Sequence, residues 1–368
     1  MPNLMPFAIP KKPDTVPATR LLVLLFTAFI MFCGSSQAQS SRLFDSDEVL
    51  EFTISCDMKA LMQDRGDDPQ YHKATITSVE DGPNIEVSLK IKARGNFRKM
   101  PSNCRYPPLH LNFSKSGTPK ESIFYGQDKT KLVTPCVADQ YVVNEYLVYK
   151  LYNLLTPKSF RARLVKLTFH DLNKDKQSDQ YFGILLEEEK QMAKRNNCIA
   201  IKTKRQDPRT TAREDFLRMA VFEYMIGNTD WSVEYLQNIK LLADDKKSIR
   251  RTVPYDFDHA GIVKAPYAKP AEALRLNSTR TRRYRGYCIE NMEAFAPVFE
   301  QFNQLQEEFY ALYTDNPYIS EGYKKQTLKY LDDFYDTIND PKKARAAFTY
   351  PCDPHGTGNV IIKGLNKD

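Results

Sequence analysis

The sequence is short of the residues that most metal and sugar chemistries rely on. Its 368 residues include one tryptophan, five histidines and fourteen glycines. No two histidines fall in an HxxxH or HExxH spacing and no CxxC occurs, which excludes the common zinc signatures. A single tryptophan offers little aromatic platform for a sugar chain, which weighs against a glycosidase built on paired carboxylates. No apolar run reaches the length of a membrane span. LLVLLFTAFIMFC (21–33) is only thirteen residues long.

That short run has the layout of an export signal. Lys11, Lys12 and Arg20 precede it, GSSQAQS follows it, and Ser36 and Ala38 occupy the small-residue positions of a cleavage site. We expect residues 1–38 to be a signal peptide cleaved after Ala38, giving an exported protein (periplasmic, cell-surface or extracellular) with no stable membrane span. Ile30, Met31 and Phe32 are bulky, which argues against lipidation at Cys33. Cleavage leaves Cys56, Cys104, Cys136, Cys198, Cys288 and Cys352. An even number in an exported chain predicts disulfides, with fifteen pairings open.

What is present supports a large core: hydrophobic residues make up 42% of the chain and aromatics 12%. The formal net charge of +7 is uneven, with RLNSTRTRRYRG (275–286) rich in arginine and free of acid. In an exported protein this favours a phosphate-bearing ligand or an acidic protein over nucleic acid.

Segments of period two dominate the first half. VLEFTISCDM, YHKATITSV, IEVSLKIKARGN, PPLHLNF and KLVTPC read as strands, with a turn at Asp81-Gly82-Pro83-Asn84. ARLVKLTFHDL and QYFGILLEEE read as a hairpin around NKDKQSD. That loop lacks the glycine and glutamate of a calcium site, so it is taken as a polar turn. Residues 138–155 read as a helix with Val142, Val143, Tyr146, Leu147, the Lys150 stem and Leu154 on one face. AREDFLRMAVFEYMIG reads as a helix, LQNIKLLAD and IRRTVPYDFDHAGIV as strands, and the tail as amphipathic helices. The order implies an α+β protein of two lobes, a β-rich one over 39–200 and a mainly helical one over 201–368, with the boundary near 190–210.

Chemistry concentrates in MIGNTDWSVEYLQN (225–238) and VPYDFDHAG (253–261). If the two strands that follow and precede these motifs pair as a hairpin, Asn238 and Asp256 lie near one end, with Asp230 just before them. Phosphoryl transfer needs such a set: one carboxylate for the attacking hydroxyl, an amide and a second carboxylate for magnesium.

These pieces, with KIKARGN (90–96), NEYLVYKLYNLL and Tyr-x-Gly followed by acids, resemble in order and spacing the spore-coat protein H (CotH) group of atypical secreted kinases. They resemble HipA-like kinases more distantly. The resemblance spans about 85–265. It implies a two-lobed atypical protein-kinase-like fold that uses ATP and Mg2+ and transfers a phosphoryl group to a protein or small-molecule hydroxyl. Carried over by residue, Asp230 would be catalytic, and Asn238 and Asp256 metal ligands with Asp258 a second acid. Arg94 would lie by the phosphates, and Glu187 or Glu189 would hold a phosphate-binding base. The chain departs from the pattern where a lysine is expected after Arg-Gly-Asn; Lys92, Lys99 and Lys166 are the substitutes considered. Trp231 also stands where a histidine often follows the catalytic aspartate. The arginine-rich segment would flank the cleft, so Arg280, Arg282, Arg283 and Arg285 are expected to contact phosphate or an acidic substrate. The competing expectation is a catalytically silent kinase-fold module that holds an acidic ligand or a partner protein at the cell surface.

Overall fold

Alternation in the first half closes into a barrel. The computed structural model describes residues 42–78, 85–114, 116–270 and 272–355. The expected signal peptide and the turn at residues 81–84 lie outside the described residues. Strands β1 (Leu50–Cys56), β2 (His72–Ser78), β3 (Ile85–Ala93), β4 (Leu109–Phe113), β5 (Lys129–Val133), β6 (Ala162–Asp171) and β8 (Tyr181–Leu186) pair in the order β1-β2-β3-β4-β5-β8-β6. β6 returns to β1 through a parallel pairing, and its neighbours are antiparallel. The two-residue β7 (Lys176–Gln177) extends β6 beside the polar turn. Closure leaves these seven strands without a bare edge. Period-two alternation puts Phe52, Ile54, Ile76, Val87, Leu89, Leu111 and Leu132 into one core. It turns Lys90, Lys92, His110 and Lys131 to the outer face.

A second core is built largely from helices. It joins α2 (Asp139–Leu155) and α4 (Arg213–Ile226) to the three-stranded sheet of β9 (Ile199–Ile201), β10 (Ile239–Ala243) and β11 (Arg251–Pro254). α5 (Ala296–Gln304), α6 (Gln306–Thr314), α7 (Glu321–Ile338) and α8 (Pro341–Phe348) complete it. The fold is thus α+β, with the barrel first and the helices last. Short α1 (Met58–Gln63) follows β1.

Helix α2 differs from the one-faced helix expected. Val142, Val143, Glu145, Tyr146, Val148, Tyr149 and Tyr152 are all buried, whereas Leu154 is 39% exposed. The helix packs on β6 and β8 on one side and on α4 and α6 on the other, so nearly its whole circumference is covered. This is why it can carry a buried glutamate toward the site. β10 and β11 are also shorter than their apolar patterns. Leu236, Asn238 and Asp256 have φ values of 53°, 49° and 65°, which end the extended conformation.

Four of the six cysteines pair, as Cys104–Cys136 and Cys288–Cys352. Cys56 and Cys198 are buried free thiols, a correction to a fully paired set. Cys56 points into the barrel core, and burial pushes its thiol up to about 12. Among the described residues no helix is long and apolar enough to cross a membrane.

Candidate active site

The loop that carries Asp230 begins where α4 must stop. Gly227 caps the helix in the left-handed region at φ 68°, and a Cβ there would lie 2.2 Å from the Tyr330 hydroxyl. The Asn228 side chain then accepts from the Asp230 amide at 3.0 Å. Asp230 is gripped from the far side of the loop. Its Oδ1 accepts from Gln237 Nε2, and its Oδ2 accepts from Asn238 Nδ2 at 3.0 Å. The same Nδ2 donates to the Asp230 carbonyl at 2.8 Å. Burial and the nearby Asp256 push the Asp230 carboxyl above the usual range, against the pull of His259, Arg285 and Asn238.

The second loop meets the first through the expected hairpin. Ile239 pairs with Pro254, and the Tyr255 amide donates to the Asn238 carbonyl at 3.0 Å. Asp256 therefore follows directly beside Asn238. Its strained backbone is fixed by the Tyr149 hydroxyl of α2, which accepts from the Asp256 amide at 2.9 Å. Phe257 fills the core against Tyr149 and Phe222, with ring centroids 4.8 and 5.7 Å away. The Gly261 and Ile262 amides return to the carbonyls of Gly227 and Ile226, so each loop braces the other.

Asn238 spends its amine on Asp230, which leaves its Oδ1 as an acceptor for a cation. The Asp256 carboxylate accepts no hydrogen bond from the described residues. These are hard oxygen donors and fit magnesium. No group of three or more His, Cys, Asp or Glu among the described residues could hold a metal. A magnesium that bridges phosphates takes one or two protein ligands and fills its shell with phosphate and water oxygens, so two donors suffice.

Across from this pair stands a lysine that the sequence reading passed over. Lys131 of β5 sits beside His110 of β4, and its Nζ lies 4.8 Å from the Tyr255 ring centroid and 5.6 Å from that of Phe160. Lys240 faces the same Tyr255 ring at 4.6 Å. Burial, Arg94 and Lys240 lower Lys131 to about 7, against the pull of Asp256 and Glu189. Arg94 is thus one of the positive charges that act on Lys131. Glu189, in the first turn of α3 (Glu189–Arg195), is with Asp256 one of the two acids whose charge acts on Lys131. Glu187 is engaged elsewhere, accepting from Arg195 Nε at 3.0 Å and Nη2 at 2.8 Å. Lys166 is paired with Glu51 at 3.1 Å, Lys92 lies over Tyr71 at 4.9 Å, and Lys99 donates to the Gly66 carbonyl.

The loop after Arg94-Gly95-Asn96 leans on the metal loop. The Phe97 ring lies 6.3 Å from His259 and 5.5 Å from Tyr267. Arg98 enters the interior, 3.2 Å from Glu145 of α2 and 3.6 Å from Asp258, and donates to the Thr134 carbonyl at 2.6 Å. One guanidinium cannot neutralise two buried carboxylates. Burial pushes Glu145 up to about 8 against the pull of Arg98, and burial with Asp256 pushes Asp258 above its usual range. The Tyr267 hydroxyl also donates to Asp258, at 3.2 Å.

The arginine-rich segment is placed differently from the expectation. Arg280 and Arg282 lie over the Tyr330 ring at 4.2 and 3.6 Å, and Arg283 over Tyr350 at 4.1 Å. Arg282 also donates to the Met225 carbonyl at 3.0 Å. Aromatic rings and backbone carbonyls of the helical part take up these three charges. Arg280 also donates to the Gly261 carbonyl at 3.4 Å, and Arg285 adjoins the loop of Asp230, donating to the carbonyls of Thr229 and Trp231, the latter at 3.1 Å.

No protein-family model matches the sequence, and no curated protein matches it. Among solved structures the chain is similar to the crystal structure of a Helicobacter pylori proinflammatory kinase, CtkA. The two share 11% identity over 70% of this chain and 94% of that one, with a TM-score of 0.37. So low a score carries no argument about function, which rests on the residues themselves.

Proposed function

We propose that this chain is an exported, ATP- and Mg2+-dependent phosphotransferase acting on a protein or small-molecule hydroxyl. The observation that carries the reading is the meeting of Asp230, Asn238 and Asp256 at one end of the β10–β11 hairpin, facing a half-buried lysine on the barrel. Asp256 and Asn238 Oδ1 would hold the metal. Bound magnesium would neutralise charge on the phosphates during transfer. Asp230 would orient the acceptor hydroxyl and take its proton. Lys131, with Glu189 behind it and Arg94 beside it, would grip phosphate oxygens. Lys131 would fill the place for which Lys92, Lys99 and Lys166 were considered. Asp258, engaged by Arg98 and Tyr267, would steady the metal loop rather than ligate.

The test is thermal denaturation of the chain from Gln39 onward with ATP and magnesium, beside Asp256→Ala. Ligand at about 100 times its dissociation constant adds about 2.7 kcal/mol. A magnesium-dependent shift in the wild type that disappears in Asp256→Ala is expected. No shift in a folded sample would remove the reading. A shift without phosphoryl transfer to any acceptor would leave the catalytically silent module.

Lys131 adds a pH signature. Its proton is lost as pH rises through about 7, whereas gripping a phosphate requires the ammonium form. Nucleotide affinity should therefore weaken above that pH, by up to about tenfold per unit. Lys131→Arg, which keeps its charge, should flatten the profile. Calorimetric titrations between pH 6 and 8.5 would show this, and a slope persisting in the arginine variant would assign the proton to another group.

A further inference from the structure

The outer face of the barrel carries more positive charge than the site uses. Strand register sets Lys73 of β2 directly opposite Lys90 of β3, Lys90 opposite Asn112 of β4, and Asn112 opposite Lys129 of β5. Two residues along the strands, the next row holds Lys92, His110 and Lys131. No acid stands in either row. Lys73, Lys90 and Lys129 are exposed and form no ion pair with the described residues. Burial, Arg94, Lys131, Lys92 and Lys129 together hold His110 down at about 3, a sign of the field this face generates. Like charges directly opposed across strands destabilise a sheet, so the Lys73–Lys90 pair costs the barrel some stability. Over Lys73 and Lys90 lies a hollow of about 590 Å³, with Lys129 beyond its edge on the next strand. Thr75, Ser88 and Asn112 contribute polar groups to its lining, and the exposed Leu172 borders it.

We propose that this face docks an acidic segment of a protein, whose carboxylates bind Lys73, Lys90 and Lys129 and accept from the hydroxyls beside them. Neighbouring strands are about 4.8 Å apart and alternate side chains of an extended peptide about 7 Å apart, so an acidic stretch of a few residues spans the row. The row adjoins the one that ends at Lys131. On the phosphotransferase reading, the docked segment belongs to the acceptor and brings its hydroxyl toward Asp230. The docking itself does not depend on that reading. A single-stranded nucleic acid would need aromatic platforms. No aromatic residue stands in the row of Lys73, Lys90, Asn112 and Lys129, and the rings that adjoin the next row, Tyr71, Tyr255 and Phe160, are covered by Lys92 and Lys131.

The test uses a fluorescent peptide of alternating Glu and Ser as the probe, read by anisotropy at two salt concentrations. Wild type is compared with Lys90→Glu and with Lys73→Glu/Lys129→Glu. Lys90→Glu removes a like-charge pair, so it should fold at least as well as the wild type. Peptide affinity should fall about tenfold or more in both variants, with a weaker salt dependence, while the nucleotide shift is unchanged. Unaltered peptide binding in folded variants would overturn the proposal, and so would tighter binding of a single-stranded oligonucleotide. Peptide binding that depends on the lysines, in a protein showing no nucleotide shift, would uphold the docking face and remove only the phosphotransferase reading.

Discussion

Asp230→Asn should lower phosphoryl transfer by about 10²–10⁴-fold, the range for loss of a positioned general base, with nucleotide binding and fold retained. The substitution keeps the shape of the side chain but removes its ability to accept a proton. It also swaps one acceptor oxygen for a donor amine, which would confront either Gln237 or Asn238. The loop can absorb that. Gln237 Oε1 is buried without a partner, so a half-turn of its amide would offer that oxygen to the new amine. Only the chemistry is then lost. The pH profile carries an independent signature. Burial and Asp256 raise the Asp230 carboxyl, so its protonation sets in at a pH above the usual aspartate range. The wild-type rate should fall as pH drops through that raised value, because the base must be ionised, whereas the residual rate of the variant should not. Single-turnover transfer measured from acid to neutral pH, beside a thermal shift with ATP and magnesium, separates these effects. A variant that kept the wild-type rate would remove Asp230 from the chemistry.

The parts of the site set by local pattern were legible in the sequence. The β10–β11 hairpin followed from two apolar runs around a polar turn, and it put Asn238 and Asp256 together as expected. Other parts depend on register and distant packing. The missing lysine was sought downstream of Arg-Gly-Asn in the next strand, where the structure has His110. On the proposed reading the cation would come from one strand further on, from Lys131 at the position paired with His110. Only the pairing of β4 with β5 reveals this. The arginine-rich segment reads as a binding surface for phosphate or an acidic substrate because its ring partners, Tyr330 and Tyr350, come from the chain end and give no local signal. Alternating strands announced a β-rich half, but they did not announce the parallel β1–β6 contact that closes it. Helix α2 reads as one-faced because Glu145, Tyr149 and Tyr152 fall off its apolar stripe, yet they are buried once the barrel and the second core enclose it.

Arg98 shows what that burial costs. Toward pH 8, Arg98→Ala should destabilise the protein by about 3–5 kcal/mol, the range for removing one partner of a buried ion pair. Burial opposes its charge, but Tyr267, Glu145, Asp258 and Asp256 outweigh this and hold the guanidinium protonated. Without it, Glu145 and Asp258 remain buried with their cation gone. The sign with pH follows from Glu145, raised from 4.5 to about 8 even with Arg98 present. A carboxyl raised on folding contributes stability that is full below its unfolded value and is lost as pH rises through its folded value. Removing Arg98 raises Glu145 further, so the deficit of the variant should be small at pH 5 and should grow toward pH 8. Adding Glu145→Gln should recover part of it, since the neutral amide costs less to bury. Urea unfolding of wild type, Arg98→Ala and the double variant at both pH values decides the matter. A deficit under about 1 kcal/mol at pH 8, or one that shrank with rising pH, would mean that Glu145 and Asp258 do not depend on Arg98 for their charge. The expected outcome makes Arg98 the tie that holds the Arg-Gly-Asn loop, α2 and the metal loop in one register, so that Asp256 and Lys131 face each other before any ligand arrives.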